Sequence, residues 1–314
     1  MRTLILTLSL LCGGLPALTG QTPPEVATRL DGFITQGLKD WHIPGLSVVV
    51  VKDGKTLYEK GFGVRELGRP GPVDGDTRFG MMSTTKAVTA LALAMLVDEG
   101  KVAWDDPVIK HLPTFRLPNA YLTEHVTVRD ALRHTSGVEN ADPLWDREDL
   151  TTAEVIARLD RVPATAALRS DFLYHNVMYQ VAGEVVAAAS GQPWERFIRT
   201  RILEPLGMTR STPTLASMQA LKDPNTSRAH FEIEGQVRPI AEVGVDCVPA
   251  AGAIWSTAHD AGKWLSFLLA GGVVGERRLV SERAFKELFT PQVAVPAGQW
   301  GYPTLTLTGS RWIS

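Results

Sequence analysis

Residues 79–100 read FGMMSTTKAVTALALAMLVDEG, and this stretch predicts the central helix of the fold. Five of its apolar residues follow the i, i+3, i+4, i+7, i+8 spacing of a helix: Val88, Leu91, Ala92, Met95 and Leu96. The other faces are mostly apolar as well, and a helix that is apolar all round belongs inside a core. Gly100 predicts the end of this helix.

The beginning of the same helix holds Ser83 three residues before Lys86. Positions i and i+3 share a face of a helix, so the two side chains are expected to be neighbours. The unpaired N–H groups at a helix start can stabilise a developing anion. Burial lowers the pKa of a lysine, and the neutral amine can then take a proton from a serine hydroxyl. The pattern therefore favours a serine nucleophile with a lysine base.

The alternative is an ordinary N-cap serine followed by a solvated lysine. Two observations favour the catalytic interpretation. Lys86 would be a costly buried charge in so apolar a helix, and a second motif, Tyr174-His175-Asn176, follows about ninety residues later. The phenol of Tyr174 can ionise more easily beside an ammonium group and take part in proton transfer. The amide of Asn176 can hold both a lysine and a substrate amide.

In this order the two motifs resemble the serine β-lactamase-related family: class C β-lactamases, D-alanyl-D-alanine carboxypeptidases, and esterases on the same fold. The resemblance runs from about residue 25 to 290 and includes TVRDALRHTSGV, LYHNVMYQVAGEVVAAASG and PAAGAIWSTAHD. It implies Ser83 as the nucleophile, Lys86 as its base, Tyr174 as the partner in proton shuttling and Asn176 as a substrate-positioning amide. Whether Lys86 or Tyr174 takes the first proton stays open. No metal and no organic cofactor is implied.

The fold that the resemblance implies is of the α/β (α+β) class, β-lactamase/transpeptidase-like. It has an antiparallel sheet flanked by helices and a large helical lobe at about residues 101–250. The residues agree with this architecture. VATRLDGFITQGL (26–38) has the spacing of an amphipathic helix, and GLSVVVVKDGKTLYEKGFGV (45–64) predicts a β-hairpin that turns at Asp53-Gly54. Later helices are expected to end at Gly191 and to begin after Ser256-Thr257 and Ser281.

One family landmark, a Lys- or His-led triplet that ends in glycine, has no counterpart. The stretch His134-Thr135-Ser136-Gly137 lies between the first two motifs, where the family carries a loop, and is interpreted as a structural turn. Thr308-Gly309 follows Leu307 and therefore lacks the cation. Only one strand-like run, Thr304 to Thr308, comes after the last predicted helix. We therefore expect residues 21–314 to be an incomplete copy of the domain without its C-terminal strands, and the 314-residue chain to be inactive or nearly so.

Residues 1–20 are expected to be a secretory signal peptide. Arg2 precedes an apolar stretch from Leu4 to Leu11, and small residues lead up to Gln21. Gly13 and Gly14 break the apolar run before it is long enough to span a bilayer. Cleavage near Gln21 would export the chain to the periplasm or the outside of the cell. No later segment is apolar for long enough to cross a membrane.

The composition is that of a soluble globular protein, with 314 residues, 44% of them hydrophobic and 21% charged, and a formal net charge of −2. No block of basic residues marks a nucleic-acid partner. Cys247 is the one cysteine beyond the signal peptide, so no internal disulfide is expected, and Cys247 itself is interpreted as a buried small residue. The spacing of the seven histidines matches no metal motif.

We expect an exported serine hydrolase that forms an acyl-enzyme on Ser83 and cleaves an amide or ester. Its partner would be a small-molecule or short-peptide substrate: a D-amino-acid peptide, a small ester or a β-lactam. The alternatives are a non-catalytic module that binds peptidoglycan-like or β-lactam ligands and an inactive truncated remnant. An unrelated α/β-hydrolase is disfavoured because the chain contains no Gly-x-Ser-x-Gly elbow. The oligomeric state is left open.

Overall fold

The N-terminal layer of the protein is a helix packed beside a β-hairpin, in a computed structural model that describes residues 23–146 and 150–295. Helix α1 (Pro24–Asp40) leads into β1 (Gly45–Lys52), which pairs antiparallel with β2 (Lys55–Gly63). The residues of the turn, Asp53 and Gly54, both have positive φ, at 51° and 72°, as a tight hairpin turn of this kind requires. The predicted hairpin is therefore confirmed.

Asp31 connects α1 to the hairpin through two side-chain hydrogen bonds. Its carboxylate accepts hydrogen bonds from the Tyr58 hydroxyl at 2.5 Å and from Lys60 Nζ at 2.6 Å, both on β2. The predicted amphipathic helix is present, but of its apolar residues only Ile34 is buried, and Phe33 is 77% exposed. Polar contacts therefore contribute more to the packing of this helix than the apolar spacing of its sequence predicted.

The predicted central helix lies at the middle of the core. Strand β3 (Phe79–Gly80) and a 3₁₀ turn (Met82–Thr84) lead into α2 (Thr85–Asp98), most of which is buried. Gly100 has φ 68° just past its end, which is the left-handed conformation that ends helices. Because every face of α2 is apolar, neighbouring elements can cover it on all sides.

A lobe of short helices follows α2. In chain order these helices are α3 (Val108–His111), α4 (Ala120–His125), α5 (Val128–Leu132), α6 (Asp142–Trp145), α7 (Thr152–Ala157), α8 (Asn176–Ser190), α9 (Trp194–Ile198) and α10 (Leu215–Ala220). The turn Arg158–Arg161 is 3₁₀, and Arg199–Leu203 is a π-helical turn that continues α9. Gly191 ends α8 with φ 72°, as predicted. The expected helical lobe is thus present.

One hairpin in this lobe differs from the expectation of helices and loops alone. Strands β4 (His230–Ile233) and β5 (Gln236–Pro239) pair antiparallel around Glu234-Gly235, both of which have positive φ. Phe231 is among its exposed residues. Phe231 and Ile233 do alternate with Glu232, but the strands are only four residues long and both apolar side chains are exposed, so the pattern is a weak strand signal.

The last described part of the chain returns to the core. Its elements are α11 (Pro249–Gly252), β6 (Trp255–Ser256), α12 (Ala258–Leu269), β7 (Val273–Val274), β8 (Arg277–Arg278) and α13 (Glu282–Leu288). Strand β6 pairs with β3, and the predicted caps Thr257 and Ser281 accept hydrogen bonds at the starts of α12 and α13. The expected strand-like run Thr304 to Thr308 and the expected signal peptide lie outside the described residues. Within residues 23–146 and 150–295, no helix is both long and apolar enough to span a bilayer.

Candidate active site

Ser83 lies in the 3₁₀ turn immediately before α2, and its side chain does not cap the helix. The N-cap position belongs to Thr84, and no side chain makes a capping hydrogen bond there. The Ser83 hydroxyl oxygen instead lies 2.6 Å from the Tyr174 hydroxyl and 2.9 Å from Lys86 Nζ. The N-cap interpretation of Ser83 is therefore wrong. Met82, the residue before the serine, has φ 46°, an uncommon conformation for a residue other than glycine.

Lys86 is buried in the core with three oxygen atoms around its amine. The side chain is 1% exposed. Nζ lies 2.9 Å from Ser83 Oγ and 2.8 Å from both Asn176 Oδ1 and the carbonyl oxygen of Ala251. Burial disfavours the ammonium form and lowers the pKa of Lys86 to about 7, although the nearby Asp142 carboxylate acts in the opposite direction. Near neutral pH this lysine can therefore exist as a free amine.

Tyr174 reaches the site from the loop before α8. The ring of His134 packs against its ring at 4.5 Å between centroids, and Lys86 Nζ lies 4.9 Å from the Tyr174 ring centroid. Burial raises the pKa of Tyr174 above its usual value of 10, and the hydrogen bond with Ser83 only partly offsets this effect. The expectation that a neighbouring ammonium group eases ionisation of this phenol is not what the structure shows, because burial dominates. Tyr174 keeps its proton at neutral pH, so its hydroxyl is able to donate the hydrogen bond to Ser83 Oγ.

Asn176 is the first residue of α8, and its side-chain amide contacts both the Lys86 amine and the Asp142 carboxylate. Its Oδ1 accepts a hydrogen bond from Lys86 Nζ at 2.8 Å, and its Nδ2 donates to Asp142 Oδ1 at 2.9 Å. His175 caps the helix, because its Nδ1 accepts from the backbone N–H of Met178 at 3.3 Å. The cap fixes the start of α8 and so the position of the amide.

The structure thus brings all four predicted residues together: Ser83, Lys86, Tyr174 and Asn176. Two further groups were missed by sequence reasoning: the Asp142 carboxylate and the Ala251 carbonyl oxygen. A backbone carbonyl carries no residue-type signal. Asp142 lies five residues beyond the glycine of the HTSG turn, where its proximity to Asn176 has no local pattern to reveal it.

The stretch His134 to Gly137 is a buried turn that supports the Tyr174 loop. His134 has φ 61°, and its Nδ1 accepts a hydrogen bond from the backbone N–H of His175 at 3.0 Å. Burial lowers the pKa of His134 well below its usual value, so its ring is neutral at physiological pH. Gly137 has φ 78°, and a Cβ there would lie 2.6 Å from the carbonyl oxygen of Ala166. These contacts agree with the interpretation of this stretch as a structural turn.

Cys247 is half-buried rather than buried. Its Sγ donates a weak hydrogen bond to the carbonyl oxygen of Trp145 at 3.3 Å. The contact is with a backbone oxygen and not with a base. It gives no indication of a nucleophilic thiol.

The arrangement is that of an acyl-transfer site: a hydroxyl between a tunable amine and a neutral phenol, at the start of a buried helix. The family model for beta-lactamase matches residues 30–312. The chain belongs to the beta-lactamase family. The prediction of a β-lactamase/transpeptidase-like fold is therefore confirmed. The fold of this family is like that of a serine hydrolase.

Two curated relatives and two solved structures are similar to this member of the beta-lactamase family. The unguisins hydrolase ungD of Aspergillus violaceofuscus is 28% identical over 80% of this chain and 47% of that protein. Protein flp of Staphylococcus aureus is 28% identical over 77% of this chain and 48% of that protein. The chain thus spans about half the length of the curated relatives that it matches.

Among solved structures, the octameric penicillin-binding protein homologue of Pyrococcus abyssi is 29% identical and has a TM-score of 0.76. That match covers 86% of this chain and 61% of the other. FmtA of Staphylococcus aureus has a TM-score of 0.71 over 88% of this chain and 72% of its own. At 20% identity FmtA supports the fold alone.

Proposed function

We propose that the protein is an exported serine hydrolase that forms an acyl-enzyme on Ser83. One observation carries this proposal: Ser83 Oγ lies between Lys86 Nζ at 2.9 Å and the Tyr174 hydroxyl at 2.6 Å. A nucleophile needs a base within hydrogen-bond reach, and both distances satisfy that requirement.

The hydrogen-bond partners of Lys86 support its assignment as the first base. A neutral amine has two hydrogens and one lone pair. Asn176 Oδ1 and the Ala251 carbonyl oxygen can only accept hydrogen bonds, and each lies 2.8 Å from Nζ. They take the two hydrogens, and the lone pair is left for the hydroxyl of Ser83. Tyr174 keeps its proton and donates to the oxygen of Ser83 from the other side.

In the proposed acylation, Lys86 takes the Ser83 proton while Oγ bonds to the carbonyl carbon of the substrate. The backbone N–H of Ser83 helps to stabilise the oxyanion that forms. The leaving amine or alcohol then takes a proton from Tyr174, which is reprotonated by Lys86. In deacylation, Lys86 takes a proton from the water molecule that attacks the acyl carbon, and this proton passes to Ser83 Oγ as the ester bond breaks and the acid leaves.

The substrate classes we propose are D-amino-acid peptides, small esters and β-lactams. The names of the relatives support an amide or ester substrate: one is a hydrolase of unguisins, and a structural neighbour is a penicillin-binding protein homologue. The second name also favours the alternative of a module that binds a β-lactam-like ligand without turnover.

Labelling with a fluorophosphonate and with a fluorescent penicillin tests the proposal. We expect the label on Ser83, located by mass spectrometry of the modified peptide, and none on Ser83→Ala. Turnover of a chromogenic ester by the 314-residue chain would support the hydrolase and overturn the expectation that this chain is inactive, whereas stable labelling without turnover would support the binding module. A label retained by Ser83→Ala would refute the assignment of the nucleophile.

Export is a separate part of the proposal and rests on residues 1–20. The basic start and short apolar core of this segment support removal near Gln21. N-terminal sequencing of the protein recovered outside the cytoplasm is the test. Material that keeps Met1 and stays in the cytoplasm would contradict export.

A further inference from the structure

The geometry points to Asp142 as a positioning residue that decides which end of the Asn176 amide faces Lys86; this inference rests on the proposed function of Ser83. Asp142 Oδ1 accepts hydrogen bonds from Asn176 Nδ2 at 2.9 Å and from Trp145 Nε1 at 2.6 Å. Its Oδ2 accepts from Asn140 Nδ2 at 3.1 Å. Asp142 makes no direct hydrogen bond with Ser83, so it acts through the amide.

The orientation of the amide follows from the chemistry of a carboxylate. An ionised carboxylate can only accept hydrogen bonds, so the NH₂ end of Asn176 faces Asp142 and the oxygen end faces Lys86. The reversed amide would place its oxygen against the carboxylate. It would also direct N–H donors at the lysine, where they would compete with Ser83 for the lone pair of the amine. Asp142 therefore keeps that lone pair available to the nucleophile.

Asp142 is itself held firmly at the start of α6. Asn140 Oδ1 accepts from the backbone N–H of Asp142 at 2.7 Å, and Asn140 Nδ2 also donates to the carbonyl oxygen of Tyr174 at 3.1 Å. The indole N–H of Trp145, in the same short helix, donates a further hydrogen bond to the Asp142 carboxylate. Asn140 thus joins the loop that presents Tyr174 to the segment that carries Asp142, and these contacts make Asp142 a rigid support for Asn176.

The charge of Asp142 has an effect of its own on the base. The groups that face or couple to Lys86 are the rings of Tyr174 and Tyr179, at 4.9 and 5.3 Å from Nζ, and the imidazole of His134, to which His175 couples in turn. Burial keeps the tyrosines protonated and the histidines neutral. Asp142 is the one charged group whose field favours the ammonium form of Lys86 among the described residues, and it raises the pKa of this lysine against burial.

The rate of Ser83 labelling by a fluorophosphonate, measured against pH, tests the inference in the full chain. In Asp142→Asn the plateau rate should fall by roughly a hundredfold, because a misplaced supporting group weakens the alignment of the reactants. The acid limb of the profile should also move to lower pH, because removal of the negative charge lowers the pKa of Lys86. A purely structural role would slow the reaction without moving this limb. An unchanged rate or an unmoved limb would overturn the inference.

Three further variants sharpen the test. Asp146→Asn removes the same charge from an exposed residue of the same segment and should leave both rate and limb unchanged. Asp142→Glu keeps a carboxylate, so the acid limb of its pH profile should stay near the wild-type position. It serves as the second variant if Asp142→Asn does not fold. A shifted acid limb in Asp142→Glu would overturn the inference. In an Asn176→Ala background, Asp142→Asn should slow labelling less than about twofold, since the two residues act as one unit. Additive losses would overturn the inference. Absence of labelling in the wild-type protein would instead refute the proposed function.

Discussion

Lys86 Nζ donates a hydrogen bond to the backbone carbonyl oxygen of Ala251, 2.8 Å away and 165 residues later in the chain. Helix α11, which carries this carbonyl, is held between α2 and α8. Thr89 Oγ1 donates to the Ala250 carbonyl oxygen at 2.8 Å, and the backbone N–H of Ala250 donates to Gln180 Oε1 at 3.0 Å. The separation of α8 and α11 therefore sets the position of one of the three oxygen atoms around the lysine.

Gly183 allows the close approach of these two helices, and Gly183→Ala should disturb the site. A Cβ at this position of α8 would lie 2.5 Å from Ala250 Cβ. We expect the variant to lose about 1–3 kcal/mol of unfolding free energy through overpacking and to label more slowly at Ser83. Urea unfolding and fluorophosphonate labelling measure the two effects. Gly32→Ala in α1 is the matched control, since a Cβ there meets nothing within 4 Å; equal stability of the two variants would contradict the prediction.

The reactivity of Ser83 should rise with pH around neutrality. Burial lowers the pKa of Lys86 to about 7, and only the neutral amine can accept the serine proton. The labelling rate should therefore increase through a midpoint near pH 7 and reach a plateau above it. Lys86→Ala should label at least roughly a hundredfold more slowly, with this limb abolished. A wild-type midpoint near the ordinary lysine value of 10.5 would show that the amine is not the titrating base.

The stability of the protein should also rise with pH because of the same lysine. The folded protein releases the Lys86 proton near pH 7, whereas the unfolded chain holds it up to about 10.5. Between these values the unfolded state binds more protons, so the free energy of unfolding increases as the pH rises. Relative to Lys86→Met, which lacks this group, the wild type should gain stability from pH 7 towards pH 10. Urea unfolding of both proteins at several pH values measures this gain, and parallel pH curves would disprove it.

Removal of the Tyr174 hydroxyl should slow the chemistry without moving its pH dependence. Tyr174→Phe loses the donor 2.6 Å from Ser83 Oγ, and a proton-transfer partner contributes roughly a hundredfold or more. The acid limb should stay where Lys86 places it, because burial keeps the phenol protonated in this range. Tyr179→Phe is the control: its ring also faces Lys86 at 5.3 Å, but its hydroxyl has no hydrogen bond with Ser83 in the described structure. An equal loss of labelling rate in both variants would show that the Tyr174 hydroxyl has no specific role in the reaction.

Local pattern was enough to predict the core helix, the hairpin and the Ser83–Lys86 pair. The spacing within α2 and the turn chemistry of Asp53-Gly54 act over a few residues, so the sequence displays them directly. The second motif pointed to Tyr174 and Asn176, which lie far from Ser83 in the chain, and the resemblance assigned their roles. Their positions in the structure agree with those expectations.

What the sequence did not predict depends on tertiary packing. Asp142 and the Ala251 carbonyl reach the site only because α6 and α11 pack beside α8 and α2. The raised pKa of Tyr174 follows from burial, which no local pattern measures. The hairpin around Glu234-Gly235 was missed because its exposed strands are only four residues long, which leaves too short an alternation of Phe231 and Ile233 with Glu232 to identify them.

The long separations along the chain mean that the site is assembled late. Lys86 meets Asn176 and Ala251, which lie 90 and 165 positions later in the chain, only after the intervening segments have folded around it. Until then the lysine is hydrated and keeps its ordinary pKa of 10.5, so it is protonated and cannot accept the serine proton. Under the proposed function, a chain that has not yet folded is therefore unreactive at Ser83, and labelling of Ser83 would report that these distant segments have come together.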